Sequence, residues 1–239
     1  MSGNQRDRDT PVAPPASASQ VRVTSAMEDY LKAAFHLEQS GGPVTTQRMA
    51  EELGLSQPSV TNMVKRLDDL KLVVHSPYRG IALTPAGRTV ALEVIRHHRL
   101  LELYLSQALG YTIEEVHAEA ERLEHHVSEE LESRMEQALG FPMFDPHGDP
   151  IPDRDGLLPA INDIGLVEMR QGQSGSISRL SDRDQERLSY LSERGFRPGV
   201  YLRVLEVIPF DGPLRVDLDG SEHVLPYSVA QLVRVEQGG

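Results

Sequence analysis

The residue types best suited to chemistry crowd into one stretch, His117-Ala-Glu119-Ala-Glu121-Arg-Leu-Glu124-His125-His126. At the roughly 100° per residue of an ideal helix, His117, Glu121, Glu124 and His125 fall in one stripe about 100° wide. Val116, Ala120, Leu123, Val127 and Leu131 fill the adjoining stripe. Imidazoles and carboxylates along the margin of a core-facing surface offer nitrogen and oxygen donors to a hard or borderline divalent cation. The same pattern also suits a solvated acidic helix whose His and Glu pair four residues apart. His98 and Glu102, on an earlier Leu-rich segment, repeat that spacing and the same two readings. The rest of the chain has to decide between them.

A chain of 239 residues holds one large domain or two to three small ones. Its net charge of −12 argues against nonspecific coating of nucleic acid. The charge is unevenly spread, however. Residues 24–83 carry six Lys/Arg against seven Asp/Glu, whereas residues 113–136 carry nine Glu against two Arg. One locally basic helix could therefore read DNA while the acidic part does something else. No run approaches the roughly 18 apolar residues of a membrane helix, so no membrane partner is expected. Residues 1–23, rich in Pro, Ala, Ser, Arg and Asp, lack an apolar core or cleavage signal and read as a disordered tail. With no cysteine there are no disulfides or thiolate ligands, which fits a reducing cytoplasm.

The elements that must position the His/Glu stretch can be read in order. Thr24 or Ser25 caps a helix from about Met27 to Gln39, with Glu28 and Asp29 in its favourable first turn. Thr45 and Thr46 offer a cap for a short helix to Leu53. Gly54-Leu55-Ser56 is a tight turn, and Ser56 caps a helix from Gln57 to Leu70 with Pro58 in its first turn. Two short helices across such a turn make a helix-turn-helix. Gln57, Ser59, Thr61, Asn62, Lys65 and Arg66 face outward on the second, as a major-groove reader requires. Leu72–His75 and Ile81–Leu83 flank a Pro/Gly turn, forming a wing whose tip residues Tyr78 and Arg79 can reach phosphate.

Thr84-Pro85 starts a Leu-rich helix that Gly110 stops, and Thr112 caps one long helix through the His/Glu stretch to about Leu139. With nothing further to cover them, these two helices predict a homodimer. Residues 140–156, with four prolines and three glycines, predict a linker lying against the protein surface. Beyond it the periodicity becomes two over Val200–Val207, Leu214–Leu218 and Leu232–Val235, with one helix over Asp182–Glu193, which suggests a small, partly open barrel. The expected fold class is mainly α with a small β domain. The expected division is tail 1–23, winged helix-turn-helix 24–90, helical metal-binding and dimerisation domain 91–140, linker 141–160 and barrel 161–239.

This order of parts resembles the diphtheria-toxin-repressor family of metal-dependent transcriptional regulators. The likeness is carried by Met27-Glu-Asp-Tyr-Leu, Ser56-x-Pro-Ser-Val-Thr, Leu83-Thr-Pro-x-Gly-Arg, His98-Arg-Leu-Leu-Glu102 and Glu121-x-x-Glu124-His125. The resemblance implies a controlling metal site at Asp29, Glu121, Glu124 and His125. Iron-type members use a Met and a Cys where this chain has Asp29 and Glu121, so it looks like the manganese-sensing branch. Carboxylates in place of sulfur agree with Mn(II) as the first candidate and Fe(II) as the second. Lys32 departs from the carboxylate expected there in that branch, which bears on a two-metal cluster. An ancillary site would comprise His98, Glu102 and His117. Arg179 and Asp182 match the barrel positions that complete it in iron-type members, and only Asp182 can ligate. The barrel looks like the SH3-like module of iron-transport accessory proteins.

The implied function is that of a dimeric, metal-dependent regulator, a repressor of metal-uptake genes, with Ser56, Gln57, Ser59, Thr61, Asn62, Lys65 and Arg79 on a palindromic DNA operator. The rival reading is a metalloenzyme or metal-binding protein using Glu121, Glu124 and His125. No His-Glu-x-x-His motif, and no paired Glu-x-x-His helices of a di-iron bundle, support it.

Overall fold

The computed structural model describes residues 23–76, 79–182 and 184–237. The tail up to residue 22 and Tyr78 at the wing tip lie outside them.

The chain begins with α1 (Ser25–Gln39), α2 (Thr46–Leu53) and α3 (Gln57–Asp69). Side-chain caps set two of the three starts: Thr45 Oγ1 accepts from Arg48 N at 3.2 Å and Ser56 Oγ from Ser59 N at 3.4 Å. Met27, Leu31, Phe35, Met49, Val60, Val64 and Leu67 meet in one core. The hairpin β1 (Val73–Ser76) and β2 (Gly80–Leu83) pairs Val73 with Leu83, and Ile81 bridges back to Val44.

The 25-residue α4 (Pro85–Leu109) spans roughly 37 Å at helical rise. Near its start, Gly87 is required: a Cβ there would lie 1.9 Å from the Leu72 carbonyl oxygen. Its first half packs Ala91, Leu92 and Ile95 into the reading-head core. Its second half packs Leu100, Leu101 and Leu103 against Ala120, Met135 and Ile151. One stiff helix thus belongs to two cores.

The long helix expected to reach Leu139 is broken. The chain forms α5 (Val116–Leu123), a 3-10 turn over Glu124–His126, and α6 (Glu129–Ala138). Val127 is extended, with ψ of 124°, and Ser128 Oγ accepts from Leu131 N at 3.2 Å. Glu129, Glu130 and Glu132 then supply the negative first turn that a fresh N-terminus favours. Glu124 and His125 lie in the 3-10 turn, just before the extended Val127.

The Pro/Gly-rich segment after α6 forms no helix, but it is not a surface strap either, since Asp145, His147 and Ile151 are buried. Gly148, with φ of +89°, lets it press onto the barrel, where a Cβ would come within 1.9 Å of the Ser178 carbonyl oxygen. His147 O accepts from Leu180 N at 2.9 Å beside it.

The barrel contains β3 (Ile164–Gly165), β4 (Ser174–Leu180), α7 (Gln185–Ser192), β5 (Tyr201–Val207), β6 (Leu214–Leu218), β7 (Ser221–Leu225), α8 (Tyr227–Ala230) and β8 (Val233–Gln237). The strands form one antiparallel sheet in the order β3-β8-β4-β5-β6-β7. Alternate residues Leu202, Val204, Leu214, Val216, Val233 and Val235 face inward. Register shifts at Ile177/Arg179 and Val204/Glu206 bend the sheet around them. One helix was expected here, starting at Asp182. Asp184 is the cap instead, and α8 adds a single turn.

Candidate metal centre

Two clusters of ligand-type side chains lie along α4. The first joins α1 to the 3-10 turn. Asp29 Oδ1 lies 2.8 Å from His125 Nε2, and Glu124 Oε1 lies 3.5 Å from the same nitrogen. Asp29, Glu124 and His125 each offer a ligand atom, all within 4.8 Å of one another. Glu28 Oε2 sits 2.6 Å from His125 Nδ1 and can take its N–H, leaving Nε2 to face Asp29. Burial raises the Asp29 carboxyl above its usual range, opposed by His125. Burial also resists ionisation of Glu124, but the His98 hydrogen bond and the Lys32 charge outweigh it and hold its pKa low.

Glu121, expected as the fourth ligand, stands apart from this trio. Its Oε1 is 2.5 Å from Lys32 Nζ, which also donates to the two Glu124 oxygens at 2.8 and 2.9 Å. Burial disfavours the Lys32 ammonium, yet Glu124 and Glu121 together keep its pKa raised.

The second cluster is deeper. His98 Nε2 lies 2.9 Å from Glu102 Oε1 and 3.2 Å from His117 Nδ1, and Asp182 Oδ2 of the barrel lies 3.1 Å from His117 Nδ1. These four residues also group within 4.8 Å. The hydrogen bond to Asp182, then that to Glu102, push the His117 pKa up to about 10. The Asp182 carboxyl is held below its ordinary range despite burial, chiefly by His117.

Behind Glu102 stand two residues that the sequence reading left in the linker, Asp145 and His147. Glu102 Oε2 and His147 Nδ1 are 3.5 Å apart, both buried and neither with a hydrogen-bond partner among the described residues. His147 Nε2 lies 3.0 Å from the Ile113 carbonyl, to which it must donate. In the neutral ring, therefore, a nitrogen lone pair faces a carboxylate oxygen in a buried site. Such a pair needs a cation between its members, either a proton or a metal. The oxygen and nitrogen donors of both clusters thus suit a hard or borderline divalent ion.

Arg179 takes no part. It bonds Asp163 at 2.8 Å and Asp149 at 3.2 Å, and Arg234 bonds Asp163 at 2.6 Å, which ties the linker segment to the barrel. Of the residues that sequence alone does not place at a site, Glu28 reads only as a favourable first-turn charge. Asp145-x-His147 carried a signal in its spacing that the surrounding prolines and glycines obscured.

On α3, Gln57, Ser59, Asn62 and Lys65 are exposed, as is Arg79 at the wing. Ser56 is engaged as the cap and lies 2.8 Å from Ser59 through its hydroxyl. Thr61 is half-buried and donates to Gln57 O at 2.9 Å, and Gln57 Nε2 donates to Thr46 Oγ1 at 3.2 Å.

Residues 22–81 match the family model described as iron dependent repressor, N-terminal DNA binding domain. Residues 84–153 match iron dependent repressor, metal binding and dimerisation domain, and residues 164–237 match the FeoA domain. The diphtheria toxin repressor of Corynebacterium efficiens is 34% identical over 90% of this chain and 96% of its own length. The chain belongs to the iron-dependent repressor family. It is accordingly a metal-dependent transcriptional repressor, with DNA-binding and dimerisation domains and an SH3-like C-terminal domain; the enzyme alternative falls away. A second relative of this repressor, the iron-dependent repressor IdeR of Mycobacterium tuberculosis, is 34% identical over 90% of this chain and 98% of its own. Among solved structures, a manganese-dependent transcriptional repressor in complex with manganese superposes with a TM-score of 0.84. It is 38% identical and covers 89% of this chain and 100% of its own.

Proposed function

We propose that this repressor is switched on by Mn(II), with Fe(II) as the second candidate, and binds a palindromic operator of metal-uptake genes as a homodimer in the cytoplasm. The observation that carries the reading is the contact between His125 and Asp29, 96 residues apart in sequence, which joins the reading head to the helical domain. A divalent cation held by Asp29, Glu124 and His125 would neutralise carboxylates that otherwise repel across this joint. His98, Glu102, His117 and Asp182 form the second site, with Asp145 and His147 behind Glu102.

In this reading the protein's own residues do the positioning. α1 carries Asp29 with the helix-turn-helix, whereas Glu124 and His125 move with the dimerising helices. Fixing them together limits the separations that two heads can sample. A two-fold operator requires recognition helices about 34 Å apart. Exposed Leu131, Phe141 and Met143 supply apolar surface for pairing. Linkage makes operator raise metal affinity by the factor by which metal raises operator affinity, typically about 5–150-fold. Gln57, Ser59 and Asn62 are offered to bases, while Lys65 and Arg79 are offered to phosphate, with Ser56 and Thr61 holding the start of α3.

Gel-shift titration against a palindromic operator, with and without Mn(II), tests this. The native chain should bind far more tightly with metal. Asp29→Asn, at a half-exposed position, should stay folded and dimeric but lose the response. A variant that still responds at native metal concentrations removes Asp29 from the site.

A further inference from the structure

Beside the Asp29/Glu124/His125 trio lies another group with the shape of a cation site. His98, Glu121 and Glu124 offer ligand atoms within 4.8 Å of one another. The Lys32 ammonium already stands among them. Its Nζ is 2.5 Å from Glu121 Oε1, 2.8 and 2.9 Å from the two Glu124 oxygens, and 3.4 Å from His98 Nδ1. These are contacts a positive centre makes, three to carboxylate oxygens and one approach to an imidazole nitrogen. The four-carbon stem is buried with α1, and only 9% of the residue is exposed.

We infer that Lys32 is a tethered cation that fills the second position of this cluster, so that Glu124, with Asp29 and His125, accepts one divalent ion beside it and not two. The inference rests on the proposed metal site at Asp29, Glu124 and His125. Three features support it. Glu124 shares its carboxylate between the trio and Lys32, so a metal on one side and an ammonium on the other would be bridged as two metals would be. Lys32 and Asp29 sit three apart on α1, which places them on the same helix face. An ammonium with three donors and no lone pair cannot ligate, and it repels any second dication that approaches the same oxygens. Glu121 then serves to hold the lysine, which accounts for its separation from the trio. Lys32 is thus a positioning and stoichiometry-setting residue, not a ligand.

The experiment uses the full-length protein and Mn(II) alone. Electron paramagnetic resonance distinguishes an isolated Mn(II) from an exchange-coupled pair, and coupling requires carboxylates shared between two ions, as Glu121 and Glu124 could be here. Glu102, which joins two ligand groups of the deeper cluster, is replaced by Gln in every sample so that it contributes no pair. With Lys32 retained, the chain should give isolated-ion spectra at every loading. Lys32→Glu, which exchanges the ammonium for a further carboxylate, should produce a coupled pair. Lys32→Met, which removes the charge while keeping the length, should allow the pair at higher Mn(II). A lysine that only packs would leave both variants uncoupled, and that result overturns the inference. A coupled pair with Lys32 retained also overturns it, while leaving the regulatory site standing. If Asp29→Asn does not change the isolated-ion spectrum, the site itself is misplaced and the inference falls with it.

Discussion

The two clusters along α4 use similar residues to different ends. The Asp29/Glu124/His125 cluster lies where the reading head meets the helical domain, and Asp29 is 43% exposed on its side chain. The Glu102-centred cluster is closed by the barrel, and Glu102 is only 1% exposed on its side chain. In the first, excess negative charge is balanced by a lysine from the chain itself. In the second it is balanced by protons on histidines, and the His117 pKa stands at about 10. An open cluster at a joint can govern how domains sit. A buried cluster with raised imidazoles, closed by Asp182 of the barrel, would instead couple barrel docking to pH.

The sharpest way to break this contrast is to disable one cluster at a time. Asp29→Asn should lower Mn(II)-dependent operator affinity by about 100-fold, near the upper end of known couplings. Asp182→Ala should leave most of that response and instead release the barrel, measured as faster proteolysis between residues 140 and 165. Equal losses of operator binding in the two variants would show that the division of labour is wrong.

A smaller effect is expected from Glu28→Gln, which weakens the hydrogen bond orienting His125. Mn(II) affinity should fall by about 10-fold, as for other carboxylates behind a ligating histidine, and isothermal titration should resolve it. The same change should not touch the Glu102-centred cluster.

The contrast also predicts opposite pH behaviour for docking and binding. The folded pKa of His117 is raised to about 10 from an ordinary 6.5. Its contribution to metal-free stability is therefore complete below pH 6.5 and is lost as pH rises through 10. Urea unfolding of the metal-free protein should show stability falling between pH 7 and pH 10. Mn(II) affinity at this cluster should rise over that interval, by up to about tenfold per pH unit if one proton is released. The smallest effect belongs to the helix break. Ser128→Ala should cost about 1 kcal/mol in the same unfolding assay, the value of a helix cap.

The reading head was largely legible because its signals are local. Ser56 with Pro58, Thr84 with Pro85, and the alternating Val/Ile runs each fix an element by contacts within a few residues. Asp29 and His125 could be matched by resemblance, but their 2.8 Å contact joins residues 96 apart in sequence, which periodicity could not reveal. Val116, Ala120 and Leu123 keep helical spacing with Val127 and Leu131, and only Ser128 before Glu129 and Glu130 marks a new start. Asp145 and His147 were hidden for another reason. Their burial depends on Gly148 meeting Ser178 across the barrel, a long-range fit with no local pattern. Lys32 was visible as a departure, but its partners Glu121 and Glu124 lie 89 and 92 residues away.

His98 faces both clusters, with Nδ1 2.6 Å from Glu124 Oε2 and Nε2 2.9 Å from Glu102 Oε1. Burial opposes its charge, but Glu102 and Glu124 prevail, so the ring can carry a proton on each side. An imidazolium gives up one of those protons readily and the second only with great difficulty. A cation that took the Nε2 electron pair in the Glu102-centred cluster would leave the remaining proton on Nδ1, donated to Glu124. Occupancy of the deeper cluster would thus fix a hydrogen bond on a ligand of the shallower one, with no movement of the backbone between them.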